Sequence, residues 1–173
     1  MNRLHFLNRL TAVALTLLCV FGLMACKDNS TNDGVDPDPY SFVVDGVTIT
    51  PGGKAASVLA SLASRAPSVS AQGSCLGGVD GEDVNYVYSG FSLQTFRLSE
   101  GHPDEEIRWI ILTDDSVSTQ RGIRIGSSLQ AVKDAYGVGT ETPSLITYLS
   151  AGTYIRFSLR DGIVTGISYT VAD

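Results

Sequence analysis

The segment IRIGSSLQAVKDAYG, residues 123–137, carries the start, body and end of a short helix. Ser127 is placed as an N-cap, Gln130 three residues on completes a capping box, and Gly137 stands where a C′ glycine belongs. Leu129, Val132 and Tyr136 fall on one helical stripe, so the helix has a face to bury. Working outward, an offset of 74 superposes ITPGGKAASVLASLA, residues 49–63, on the same pattern. Ile49 meets Ile123, Gly52 meets Gly126, Val58 meets Val132 and Leu62 meets Tyr136. Ala55, Val58, Leu59 and Leu62 make the first apolar stripe.

Strand signals follow each helix. After the second come LITYL, TYIRFSL and IVTGISYTV, the last two joined through Asp161-Gly162, a strong hairpin signal. Ile155, Phe157 and Leu159 alternate with Tyr154, Arg156 and Ser158, and Ile163, Thr165, Ile167 and Tyr169 are expected to share a face. After the first come VNYVY, FSLQTFR and IRWIILT, with the acidic loop SEGHPDEE before the last. The expectation is an α+β fold: a tandem repeat of a short helix followed by a three-stranded antiparallel meander, helices packed on one sheet face. The two-copy domain would occupy residues 40–173, copy one at about 42–113 and copy two at about 114–173.

This two-copy unit, with Ile-x-x-Gly turns ending at Gly52 and Gly126 and Tyr136-Gly137 closing the second helix, resembles the β-lactamase-inhibitor-protein fold. The single unit resembles small outer-membrane assembly lipoproteins of the SmpA/OmlA type. LTDDSVSTQRGIRIGSSLQAVKDAYG, residues 112–137, also resembles a group of uncharacterised bacterial lipoproteins. In these a strand ends in Asp-Asp, a Thr-x-x-Gly link follows, and a glycine-capped helix ends in Tyr-Gly. The resemblance implies a scaffold that binds other proteins and supplies no catalytic residue to carry over. The first copy departs from the pattern. Gly52-Gly53-Lys54 replaces the serine cap, no glycine closes its helix, and the insertion around Cys75 has no counterpart in the second copy.

The N-terminus gives an address. MNRLHFLNR is short and basic, and Leu10 to Ala25 runs 16 residues without a charge. A spanning helix needs about 20 apolar residues, so this run suits a signal-peptide core over residues 1–25. Leu23, Met24, Ala25 and Cys26 resemble the lipobox of bacterial lipoproteins. By that resemblance Leu23 and Ala25 are read by the signal peptidase. Cys26 receives a diacylglycerol on sulfur and becomes the new N-terminus. Residues 26–39 comprise this cysteine and KDNSTNDGVDPDP, a polar, acidic spacer that cannot bury apolar area and reads as a flexible tether. The implied location is the cell envelope, outside the cytoplasm. Lys27, where an Asp would favour the inner membrane, leans toward the outer membrane of a two-membrane cell. In a one-membrane cell the anchor would hold the protein to the outer face of the cell membrane.

Composition narrows the chemistry. The chain past residue 26 carries 10 basic against 18 acidic residues and no basic stripe, which argues against nucleic acid as a partner. With Cys19 in the signal and Cys26 lipidated, Cys75 has no intrachain partner. His102 is the one histidine past the signal, and one His with one Cys falls short of a zinc site. No nucleophile-elbow or P-loop motif is present, and the paired acids at Glu82-Asp83, Asp104 to Glu106 and Asp114-Asp115 read as solvated turns. Asp115, near the junction of the two copies, is a candidate to cap or brace a turn there. No cofactor or metal is expected beyond the lipid on Cys26. Tyr148, Tyr154 and Arg156 are the candidate partner-binding residues, since Tyr and Arg are favoured interface anchors. Trp109, among Ile107, Ile110, Ile111 and Leu112, is expected in the core. The leading expectation is a membrane-tethered, non-enzymatic protein-binding or assembly module. The alternatives are an envelope hydrolase or thiol enzyme built on Cys75 or His102, and an inhibitor of an envelope enzyme.

Overall fold

A computed structural model describes residues 40–76, 78–98 and 105–172. The expected signal peptide with Leu23, Ala25 and Cys26, the expected tether, and His102 lie outside the described residues. The described chain opens with a hairpin, β1 (Phe42–Val44) and β2 (Val47–Ile49). Its two-residue turn, Asp45-Gly46, has φ of 51° and 76°, the doubly left-handed geometry of a type I′ turn. Helix α1 (Ala55–Ser61) follows and ends in a 3₁₀ turn (Ala63–Arg65). Four strands come next: β3 (Ser68–Leu76), β4 (Val79–Val87), β5 (Phe91–Leu98) and β6 (Glu106–Leu112). Helix α2 (Leu129–Tyr136) then leads to β7 (Thr140–Thr142), β8 (Leu145–Ser150), β9 (Thr153–Arg160) and β10 (Ile163–Val171).

These strands overturn the expected tandem repeat of a helix and a three-stranded meander. They form one eight-stranded antiparallel sheet in the order β3-β4-β5-β6-β10-β9-β8-β7, beside the separate two-stranded β1-β2 sheet. Each helix is followed by four strands, and β6 pairs with β10, so the strands after the two helices share one sheet. Three features escaped the periodicity. β3, SVSAQGSCL, is mostly small and polar and shows no apolar alternation. β7 is the exposed tripeptide Thr-Glu-Thr. The β6–β10 ladder joins residues some 58 positions apart, from Trp109↔Thr170 to Leu112↔Ile167, which no local pattern announces.

The core lies on one side of the sheet. Phe91 and Leu93, Ile110 and Leu112, Ile167 and Tyr169, Ile155 and Phe157, and Ile146 and Tyr148 project into it from successive strands. Phe42, Ile49, Ala55, Val58, Leu62 and Val132 from the hairpin and helices complete the same cluster. The cap of α2 falls one residue later than its sequence suggests. Ser128 Oγ accepts from the Ala131 amide at 3.2 Å, whereas Ser127 Oγ accepts from the Arg124 amide. Gln130 donates along the helix to Asp134 at 2.8 Å rather than back to the cap. Gly137 closes the helix with φ of 79° and donates to the Lys133 carbonyl. The turn after β6, at the expected copy junction, is braced by Asp114, whose Oδ1 accepts from the Ser116 amide, and not by Asp115.

Two β-bulges decide which residues face the core. In β6, Gln94 pairs with Trp109 but Thr95 pairs with Ile107, so Arg108 is an extra residue. A one-residue insertion exchanges the two faces beyond it. Ile107 and Ile110 therefore both point inward, and Trp109 points out, 45% exposed, contrary to its expected core position. In β10, Val164 pairs with Leu159 and Gly166 with Ser158, leaving Thr165 extra. Val164 is buried with Ile167 and Tyr169, while Ile163 and Thr165 are exposed, so the expected common face does not form.

Candidate recognition surface

The described helices and hairpin contribute to the core side, which leaves the opposite sheet face open among the described residues. One lane crosses that face from strand to strand. Ser70, Asn85, Gln94, Trp109, Thr170, Tyr154 and Leu149 are successive cross-strand partners on seven neighbouring strands. Adjacent strands lie about 4.8 Å apart, so Trp109 and Tyr154, two strands apart, stand about 10 Å from each other. A parallel lane holds Ser92, Ile111, Ser168, Arg156 and Thr147. The face thus grades from amides and hydroxyls over β3–β5 to aromatic, aliphatic and cationic groups over β6–β8.

Arg156 and Tyr154 project from the same side of β9, and the guanidinium carbon sits 4.5 Å from the Tyr154 ring centroid. Both side chains are partly exposed. Thr170 is buried between Trp109 and Tyr154 in the lane, although it faces away from the core. Three groups with aromatic or guanidinium character therefore cluster on an accessible sheet surface, the composition that favours interface anchors.

Tyr148 does not join them. It pairs with Ile155 on the core side, is buried, and donates from its hydroxyl to the Gly137 carbonyl at 3.1 Å. Its ring packs with Tyr136 and Phe157, and burial pushes its hydroxyl pKa up to about 12. The same shift to about 12 marks Tyr86, where burial acts first and a hydrogen bond to Glu105 adds to it. Glu105 Oε1 also accepts from Thr95 Oγ1. These tyrosines are structural.

Cys75 is exposed on the edge strand β3 opposite Asp80. Among the described residues no group of three or more His, Cys, Asp or Glu side chains is placed to hold a metal ion. No described helix is long and apolar enough to cross a membrane. Sequence reasoning found Tyr154 and Arg156 on one face but missed Trp109, Gln94 and Asn85. The alternation of β5 could have exposed Gln94, but the bulge in β6 hid the direction of Trp109. No protein-family model, curated protein or solved structure matches the chain.

Proposed function

We propose that this protein is a lipid-anchored, extracytoplasmic, non-enzymatic binding protein whose open sheet face recognises a partner protein. The observation that carries this reading is the exposed Trp109 in line with the Arg156–Tyr154 stack on a face that the described helices leave free. An exposed indole has no stabilising role in the core on the other side of the sheet, and burying it against a partner removes apolar area from water. The face is built on eight hydrogen-bonded antiparallel strands rather than on loops, so little ordering entropy opposes docking.

The membrane part of the proposal is supported by Leu23, Ala25 and Cys26 and by the acidic spacer after them. A single acyl chain gives only marginal binding, on the order of 10⁴ M⁻¹, and a diacylated Cys26 exceeds that. The anchor would hold the domain at the outer membrane of a two-membrane cell or at the outer face of a one-membrane cell, and no cofactor is required. The test is fractionation. Cys26→Ser should move the protein from the membrane fraction to the soluble fraction. Unchanged partitioning would refute the anchor.

A further inference from the structure

The polar half of the open face holds a cavity of about 320 Å³, lined by Ser70, Gln72, Asp83, Asn85, Ser92 and Gln94. Ile111 gives it an apolar wall, and Trp109 stands directly across the β5–β6 ladder from Gln94. This volume is at the small end of the range of roughly 300–1,000 Å³ typical of ligand pockets. Its chemistry is unusual for such a pocket, because hydrogen-bonding groups dominate the lining. Three carboxamides each offer two donors and an acceptor side by side, and two serines offer hydroxyls. None of these side chains, nor the Asp83 carboxylate, forms a hydrogen bond with another described residue. The groups are therefore directed to water or to a ligand rather than to the fold.

We infer that this cavity binds a neutral sugar unit of a glycan. The lining contains no Lys or Arg, so a phosphate or sulfate group would find no counter-charge. An apolar ligand would strip water from six polar side chains without replacing their hydrogen bonds, which is unfavourable. A pyranose matches both parts. Its vicinal hydroxyls donate and accept at neighbouring positions, as carboxamides do, and Asp83 accepts from hydroxyls. One ring face carries only C–H groups and can lie on the Trp109 indole. The inference uses the open face as a recognition surface and adds to the proposed protein partner a second ligand at its β3–β5 end.

The chain contains one tryptophan, so fluorescence excited selectively at the indole, beyond the tyrosine absorption band, reports Trp109 alone. The full-length lipidated protein in detergent micelles is titrated with neutral tetrasaccharides of α-linked glucose, β-linked glucose, β-linked N-acetylglucosamine and β-linked galactose. Tetra-alanine amide is the peptide control. At least one sugar should give a saturable blue shift. Asn85→Ala and Gln94→Ala should each weaken that binding about tenfold, and Val138→Ala, at a fully exposed position after α2, should leave it within about twofold. No saturable shift with any sugar would overturn the inference, as would sugar binding indifferent to both amide substitutions. Tighter binding of tetra-alanine amide, lost in the same variants, would assign the cavity to peptide and also overturn it. The wild-type titration stands even where a variant fails to fold. Failure here leaves the protein-partner reading to be decided separately by crosslinking at position 109, which does not depend on sugar.

Discussion

Arg156 lies over the ring of Tyr154, its guanidinium carbon 4.5 Å from the ring centroid, two residues along one strand and on the open side of the sheet. A free arginine has many rotamers to lose on binding. Stacked on a tyrosine held by its strand, it has already lost part of that freedom. With Trp109 in the same cross-strand lane as Tyr154, the pair forms a preordered anchor cluster.

Removing an anchor should weaken partner binding and spare the fold. Trp109→Ala should cost about 2 kcal/mol or more of binding free energy, and Arg156→Ala about 1–2 kcal/mol, as central interface residues do. The thermal midpoint should change little in Arg156→Ala, since the side chain lies outside the core. Biolayer interferometry against the captured partner, paired with thermal melts, measures both.

Helix α2 depends on a cap that its sequence places only to within a residue. Ser128→Ala removes the oxygen that accepts from the Ala131 amide at 3.2 Å and should destabilise the protein by about 1 kcal/mol. Ser127→Ala removes only the bond to the Arg124 amide in the turn and should cost less. Urea titration of the two variants distinguishes the caps.

Gly81 on β4 lies under the Phe96 ring of β5. A Cβ there would collide with that ring and approach the Arg97 carbonyl oxygen to 2.5 Å. Gly81→Ala should therefore destabilise by about 1–3 kcal/mol. Phe96→Ala in the same chain should relieve the ring contact but not the carbonyl contact. The double-mutant cycle should give a cost below the sum of the two single changes.

Alkaline pH should loosen the fold through its buried phenols. Tyr148 and Tyr86 have hydroxyls raised from 10.0 to about 12, chiefly by burial. A folded-state pKa above the unfolded one means that folding favours the protonated form. That contribution is complete below about pH 10 and is lost as the pH rises towards about 12. Tyr148→Phe should lower stability near neutrality by about 0.5–1.5 kcal/mol, the loss of one hydrogen bond, and should flatten the alkaline decline. Chemical denaturation at a series of pH values checks the sign.

The legible parts of this fold are those governed by local chemistry. Gly137 ends α2 as its position demands, and Asp161-Gly162 joins β9 to β10 with φ of 52° and 73°. Ile155, Phe157 and Leu159 alternate into the core as their spacing requires. The rest depends on what the strands meet. β3 takes its order from pairing with β4, not from an apolar stripe of its own. Trp109 has the local pattern of a core residue, and one inserted residue, Arg108, turns it outward. Tyr148 has the residue type of an interface anchor, as Tyr154 does, but the two belong to opposite faces. The register Tyr148↔Ile155 places it with a core isoleucine. The polar cavity was invisible because its lining residues come from separate strands and mean little until Ser70, Asn85 and Gln94 stand side by side.

The central claim is that the open face of a membrane-held domain meets a partner there. A benzophenone amino acid placed at position 109 of the full-length protein in intact cells tests it, with the same group at Val138, fully exposed after α2, as control. Position 109 should yield one discrete protein adduct that is reduced by Arg156→Ala and is absent from position 138. Equal adducts at both positions, or none at 109, would contradict the account.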